Sequence, residues 1–183
     1  MRLFVGIELS GAAKEAVLLA RERLVTEVSR QGVRFVSPDK LHVTLAFLGQ
    51  VDPDRLTQLM GSLVPVGAGL TSFDVATGGL GAFPDMRRPK VIWLGLGGQL
   101  GVMAAVASNV KEAARPFAPE LDDKPFQAHV TLARVSPGSP VVGSILRRLD
   151  LHPSGGEMRV EGFSLFHSRP DGTYEVLDRF QLS

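Results

Sequence analysis

The chain has 183 residues, 44% of them hydrophobic and 21% charged, which excludes a disordered chain or a coiled coil and suits one domain, or two small lobes sharing a cleft. Its 20 Lys and Arg against 19 Asp and Glu give a formal charge of +1. That balance argues against a broad basic surface gripping long nucleic acid, which must neutralise many phosphates, but leaves a short or terminal nucleic acid open. No cysteine is present, so disulfides, thiolate nucleophiles and cysteine-based zinc sites are excluded together.

Arg2 to Leu9 alternates as a strand does, and Glu8 arrives too early for the apolar stretch of a signal peptide, so a cytoplasmic protein is expected. Ser10 is placed to cap a helix running to about Gln31, with Gly32 as its stop and Val17, Leu18, Leu24, Val25 and Val28 as its apolar stripe. Strands follow at Arg34 to Val36 and Leu41 to Leu48, joined by the turn-forming Ser37-Pro38-Asp39-Lys40. Asp52-Pro53 opens a second helix as cap and first-turn proline. A strand at about Ser72 to Thr77 leads into Gly78 to Pro89, whose Gly, Pro and Arg content predicts the longest loop of the chain. Val91 to Val110 carries no charge and has the length of a membrane span, but Gly97-Gly98 divide it into a strand-like half and a helix-like half beginning at Leu100. A membrane span is therefore not expected. Beyond a Pro-rich segment come a strand at Gln127 to Val135, a short helix at Val141 to Leu149, and a hairpin of Met158 to Ser168 with Thr173 to Leu182 around Pro170-Asp171-Gly172. Interleaved strands and helices closing on a hairpin predict an α+β domain with largely antiparallel sheets.

One pentapeptide occurs twice, nearly half the chain apart: His42-Val43-Thr44-Leu45-Ala46 and His129-Val130-Thr131-Leu132-Ala133. Such a repeat predicts two related halves, each contributing one of these strands to a shared cleft. On a strand Val43 and Leu45 face the core while His42 and Thr44 share the other side, and the second copy divides likewise. Two imidazoles and two hydroxyls then surround one ligand group, and a tetrahedral phosphate suits them. Hydroxyls donate to its non-bridging oxygens, while imidazoles exchange protons with bridging oxygens or an attacking water. With an ordinary pKa of about 6.5, one histidine can be neutral and the other protonated near neutral pH. A single His-x-Thr would be read as structural; its duplication reverses that weighting. Two histidines without a companion set of carboxylates or cysteines are too few for a usual zinc site, so no metal and no cofactor is expected.

At these residues the chain resembles the two-histidine phosphoesterase superfamily, and within it the bacterial and archaeal RNA 2′,3′-cyclic phosphodiesterases, the LigT-like 2′-5′ RNA ligases. The similarity extends to Arg2-Leu3-Phe4-Val5-Gly6-Ile7, Lys40 to Gly49, His129 to Arg134, Ser164-Leu165-Phe166 and Gly172-Thr173-Tyr174, nearly the whole chain. It implies one bilobal domain over 1–183, two pseudo-symmetric lobes flanked by helices around a central cleft, and conversion of cyclic ends to 2′-phosphates with weak reverse 2′-5′ joining. It implies acid/base roles for His42 and His129, phosphate contacts from Thr44 and Thr131, and a further phosphate contact from Arg134. Strand alternation alone points Arg134 away from His129 and Thr131, a conflict that a strand end or twist must resolve. Gly6 stands where alanine is commoner in the family, a departure expected to be harmless.

Phe126 is a candidate for stacking on a terminal base, and Arg88, with Arg87 and Lys90, for guiding RNA phosphates; packing and solvation are the rival explanations. His152 and His167, outside any repeat, are assigned to structure, and Glu8 as an orienter of a histidine is not favoured. The expected partner is an RNA 3′ end, tRNA fragments included, bound by a monomer with no membrane and no obligate protein partner. The alternatives are a phosphodiesterase acting on another cyclic or 2′-5′-linked nucleotide, and a non-catalytic module that binds RNA ends. Nothing in the symmetric motif decides which histidine is acid and which is base.

Overall fold

A computed structural model of the chain describes residues 1–28, 31–137, 140–149, 151–153 and 155–183. Among these residues nine strands, all paired antiparallel, form one sheet: β1 (Arg2–Glu8), β2 (Val33–Phe35), β3 (His42–Gln50), β4 (Phe73–Phe83), β5 (Val91–Gly98), β6 (His129–Val135), β7 (Glu157–Val160), β8 (Gly162–Ser168) and β9 (Tyr174–Gln181). Among the described residues four α-helices accompany them: α1 (Gly11–Val28), α2 (Leu56–Ala68), α3 (Leu100–Ala114) and α4 (Pro140–Leu146).

The strand order is β7-β4-β5-β6-β3-β1-β8-β9, with β2 also on β6. It divides into two lobes, β9-β8-β1-β3 and β6-β5-β4-β7, which meet where β3 pairs with β6 at Val43 and Val130. The repeated pentapeptides therefore form the seam of the molecule. β7 and β8 lie near opposite ends of this order yet are separated in sequence by Glu161 alone, so the sheet must curl until its two ends approach.

Helix α1 buries Ala13, Ala16, Val17, Ala20, Leu24 and Val28, an i, i+3, i+4, i+7 stripe. It lies on β4 and β7 of the far lobe, whereas α3, from the second repeat, lies on β3 of the first. Each repeat thus covers strands of the other, and neither buries its apolar face alone. A fully buried Leu or Val contributes about 1.5–3 kcal/mol, and Leu24, Val43, Leu94, Val110, Val130 and Leu132 are all fully buried in one continuous core. Among the described residues no helix is long and apolar enough to cross a membrane.

Most elements lie where the sequence puts them. The Ser10 carbonyl accepts from Lys14 N at 3.3 Å, the N-cap position, and Asp52 Oδ1 accepts from Asp54 N at 3.0 Å ahead of α2. Two expectations need correction. The segment from Gly78 is not loop: β4 continues to Phe83, and only its far end before β5 is irregular. Its glycines make room rather than turns, for a Cβ on Gly81 would lie 2.1 Å from the Trp93 ring and one on Gly79 2.5 Å from His152. The stretch from Met158 to Ser168 is not one strand either. It breaks at Glu161, β7 pairing with β4 and β8 with β1, because the chain there crosses from one lobe to the other. Of the expected Ser136 to Pro140 loop, residues 138 and 139 lie outside the described residues, as do 29 and 30 of the helix expected to run to about Gln31, which is described as helical to Val28.

Candidate active site

The register of the Val43–Val130 pair sets His42 across from Thr131 and Thr44 across from His129. Directly opposed antiparallel residues share a face, so all four polar side chains point to the same side of the seam. The two rings are held alike. His42 Nδ1 lies 2.7 Å from the Lys40 carbonyl and His129 Nδ1 2.7 Å from the Gln127 carbonyl, each two residues upstream. A carbonyl can only accept, so Nδ1 carries the proton in both rings, leaving each Nε2 as the atom that can gain or lose one.

Surroundings distinguish the two. His42 packs 4.8 Å from Phe4 and edge-on to Tyr174, and its Nε2 is 2.9 Å from Thr44 Oγ1. His129 stands edge-on to Phe83 at 5.1 Å and 5.9 Å from Trp93. Burial among these rings pushes both imidazoles below the ordinary histidine value, opposed by the backbone carbonyls, and at His42 the charge of His129 lowers it further.

Thr44, Phe126, His129, Thr131 and Arg134 line one cavity of about 530 Å³. His42, its Nε2 against Thr44, lines a separate, smaller recess of about 140 Å³ with Lys14 and Lys40. Arg134 reaches the cavity because β6 carries a bulge: Ile92 pairs with Ala133 but Trp93 with Thr131, so Leu132 is an extra residue. Leu132 and Ala133 are both buried, alternation slips by one, and Arg134 emerges beside His129 and Thr131. That removes the conflict posed by simple alternation.

β3 has the same bulge. Val5 pairs with Ala46 and Gly6 with Thr44, Leu45 is skipped, and Phe47 emerges on the cavity wall 51% exposed. Sequence reasoning missed Phe47, though aligning His42-Val43-Thr44-Leu45-Ala46-Phe47 with His129-Val130-Thr131-Leu132-Ala133-Arg134 shows the signal. It also missed the rings around the histidines, of which Phe4, Phe166 and Tyr174 lie in the segments that resemble the family.

Phe126 both lines the cavity and packs on the core, and its segment is tied down by Lys111 Nζ donating to the Lys124 carbonyl at 2.6 Å. Arg88 does not come to the cavity; its backbone N donates to Asp85 Oδ1 in an exposed turn. Glu8 faces Ser164 and Arg179, at 2.7 and 3.0 Å, rather than a histidine. Burial alone would raise its carboxyl, but those two partners hold it below the usual range. His167 Nδ1 lies 3.6 Å from Glu175. At Gly6 a Cβ would lie 2.8 Å from the Val43 carbonyl oxygen and 3.2 Å from the His42 ring, so the backbone here is set for glycine. Among the described residues no group of three or more His, Asp or Glu side chains is arranged to hold a metal ion.

The family model of LigT-like phosphoesterases matches residues 7–93 and 100–174. The chain belongs to that family. An RNA 2′,3′-cyclic phosphodiesterase of Archaeoglobus fulgidus is 34% identical over 169 residues, 92% of this chain and 91% of its own. One of Thermus thermophilus is 30% identical over 190 residues, 100% of this chain and 90% of its own. Among solved structures, a Thermus thermophilus protein superposes with a TM-score of 0.77 at 30% identity, covering 100% of this chain and 98% of that one. E. coli LigT in its apo form gives 0.78 at 24% identity, with 100% and 97% covered, a likeness of fold. The α+β LigT-like architecture of paired lobes follows from both.

Proposed function

We propose that this chain is an RNA 2′,3′-cyclic phosphodiesterase that opens cyclic phosphate termini to 2′-phosphates by proton transfer between His42, His129 and the substrate, without a metal. The observation that carries it is the matched pinning of both Nδ1 atoms, which commits both Nε2 atoms to one seam flanked by two threonines. The activity named for the Archaeoglobus and Thermus relatives supports the choice of substrate.

In the reaction one neutral imidazole takes a proton from water through Nε2 as the water oxygen bonds to phosphorus. The phosphorus–O3′ bond breaks, and the other, protonated imidazole gives its Nε2 proton to O3′. The phosphate stays on O2′ and the two histidines end with exchanged protonation. Thr44 and Thr131 donate to the non-bridging oxygens and Arg134 offsets the charge that builds there. General acid–base help of this kind gives about 10²- to 10⁴-fold. A 5′-hydroxyl in place of water would run the same steps towards a 2′-5′ bond. We take the chain to work as a cytoplasmic monomer.

The test is incubation of the purified protein, with chelator, with a short RNA ending in a 2′,3′-cyclic phosphate, followed by identification of the terminal phosphate. Chelator-resistant formation of a 2′-phosphate is expected. Tight binding of the end without turnover would instead make the chain a binding module.

A further inference from the structure

The cavity that holds His129 and Thr131 is not the whole of the cleft. A second, of about 630 Å³, shares Phe47 and Arg134 with it as a common wall and extends over the other lobe to Arg2, Gln50, Ser168 and Tyr174. Both volumes fall within the roughly 300–1,000 Å³ of sites that hold small organic ligands. The first borders His129 and its neighbour Phe83; the second borders Phe4 and Tyr174, the rings packed on His42. Hydrolysis needs only a water beside phosphorus, so a terminal nucleoside in the first cavity leaves the second without an occupant.

Its lining indicates what fits. Arg2 and Arg134 both reach it, and among the described residues neither has a carboxylate or hydrogen-bond partner, although Glu120 lies on the same wall. Glu120 is instead turned to the backbone, accepting from Gln50 N at 3.0 Å. The unpaired Arg2 guanidinium, with Arg134 on the shared wall, beside neutral Gln50 and Ser168 suits a phosphodiester, and Phe47, 51% exposed, offers a ring to a base. Every RNA ending in a cyclic phosphate carries such a group, the linkage to its next nucleotide.

On the basis of the phosphodiesterase function above, we propose that the cavity lined by Arg2, Gln50, Ser168 and Tyr174 is a subsite for the nucleotide preceding the cyclic terminus, so that the enzyme engages two nucleotides and prefers oligonucleotides to nucleoside cyclic phosphates. The test compares kcat/KM for a nucleoside 2′,3′-cyclic phosphate with those for a dinucleotide and a trinucleotide ending in the same unit. A dinucleotide advantage of roughly fivefold or more is expected, the low end of what a stacked base adds, with little further gain from a third nucleotide. In Arg2→Ala, and independently in Gln50→Ala, the dinucleotide-to-mononucleotide ratio should fall towards one. Equal kcat/KM for all three substrates, or a ratio unmoved by both substitutions, overturns the subsite while leaving the phosphodiesterase standing. A dependence on Arg2 seen only when a 5′-hydroxyl strand is joined overturns it too, assigning the cavity to the incoming strand. No turnover of any of the three overturns the function and the subsite with it.

Discussion

Phe47 and Arg134 hold the same place in the two halves of the molecule. Each follows its histidine at the same distance, each emerges after a bulge that skips one leucine, and both form the wall between the two cavities of the cleft. The repeat built two copies of one backbone and then placed an aromatic ring on one and a guanidinium on the other. In the proposed reaction, one half would supply charge beside the phosphate and the other a stacking face.

Arg134 is exposed and bears no structural ion pair among the described residues, so its loss should cost activity rather than fold. Arg134→Ala should lower kcat/KM by about 10- to 100-fold, the worth of a charge-assisted hydrogen bond, with the melting temperature little changed. Arg134→Lys should recover only part, since an ammonium lacks the two-pronged geometry. Steady-state kinetics and a melting curve on each variant check this.

Burial lowers both histidines, so the acid limb of the rate profile should lie below the ordinary value of about 6.5. The same shift has a sign for stability. A histidine with a depressed folded-state pKa favours the folded protein above its unfolded value, and that contribution is lost as pH falls through the folded value. Melting temperatures of His42→Asn should therefore fall less steeply than those of the parent as pH drops below about 6.5.

Gly6→Ala should disturb the site more than the fold. The new methyl meets the Val43 carbonyl and the His42 ring, and relief by shifting β3 or turning the ring costs about 1–3 kcal/mol. Gly81→Ala meets the Trp93 ring even more closely, on the His129 side. Each should lower the melting temperature by several degrees and reduce kcat by more than the stability loss accounts for.

Glu8→Gln separates a structural carboxylate from a catalytic one. Glu8 is bound to Ser164 and to the exposed Arg179, and partly exposed pairs of this kind contribute about 0–1 kcal/mol. The pH–rate profile of the variant should overlay that of the parent.

The line from sequence to site was shortest where the chain repeats itself. His42, Thr44, His129 and Thr131 could be placed on one face from period-2 alternation, and the seam then brought them together. Alternation failed for Arg134 and Phe47 because a bulge changes parity, and nothing local in Leu-Ala marks one; the skip appears only when the neighbouring strand is in view. The glycines of β4 misled for a related reason. Gly78, Gly79 and Gly81 look like loop residues singly, but they make space for Trp93, His152 and the backbone of β5, none of it near in sequence. The break at Glu161 was invisible because both flanks are sound strands, and only the lobe each joins divides them.

The most direct test of the two-histidine account is a set of single-turnover rates on RNA with a 2′,3′-cyclic end for the parent, His42→Ala, His129→Ala and the double variant. If the two imidazoles act as one unit on one phosphorus, each single change lowers the rate by about 10²- to 10⁴-fold and the double variant is scarcely worse than the poorer single one. A parent-like rate in either single variant, or losses that multiply fully in the double, would contradict it.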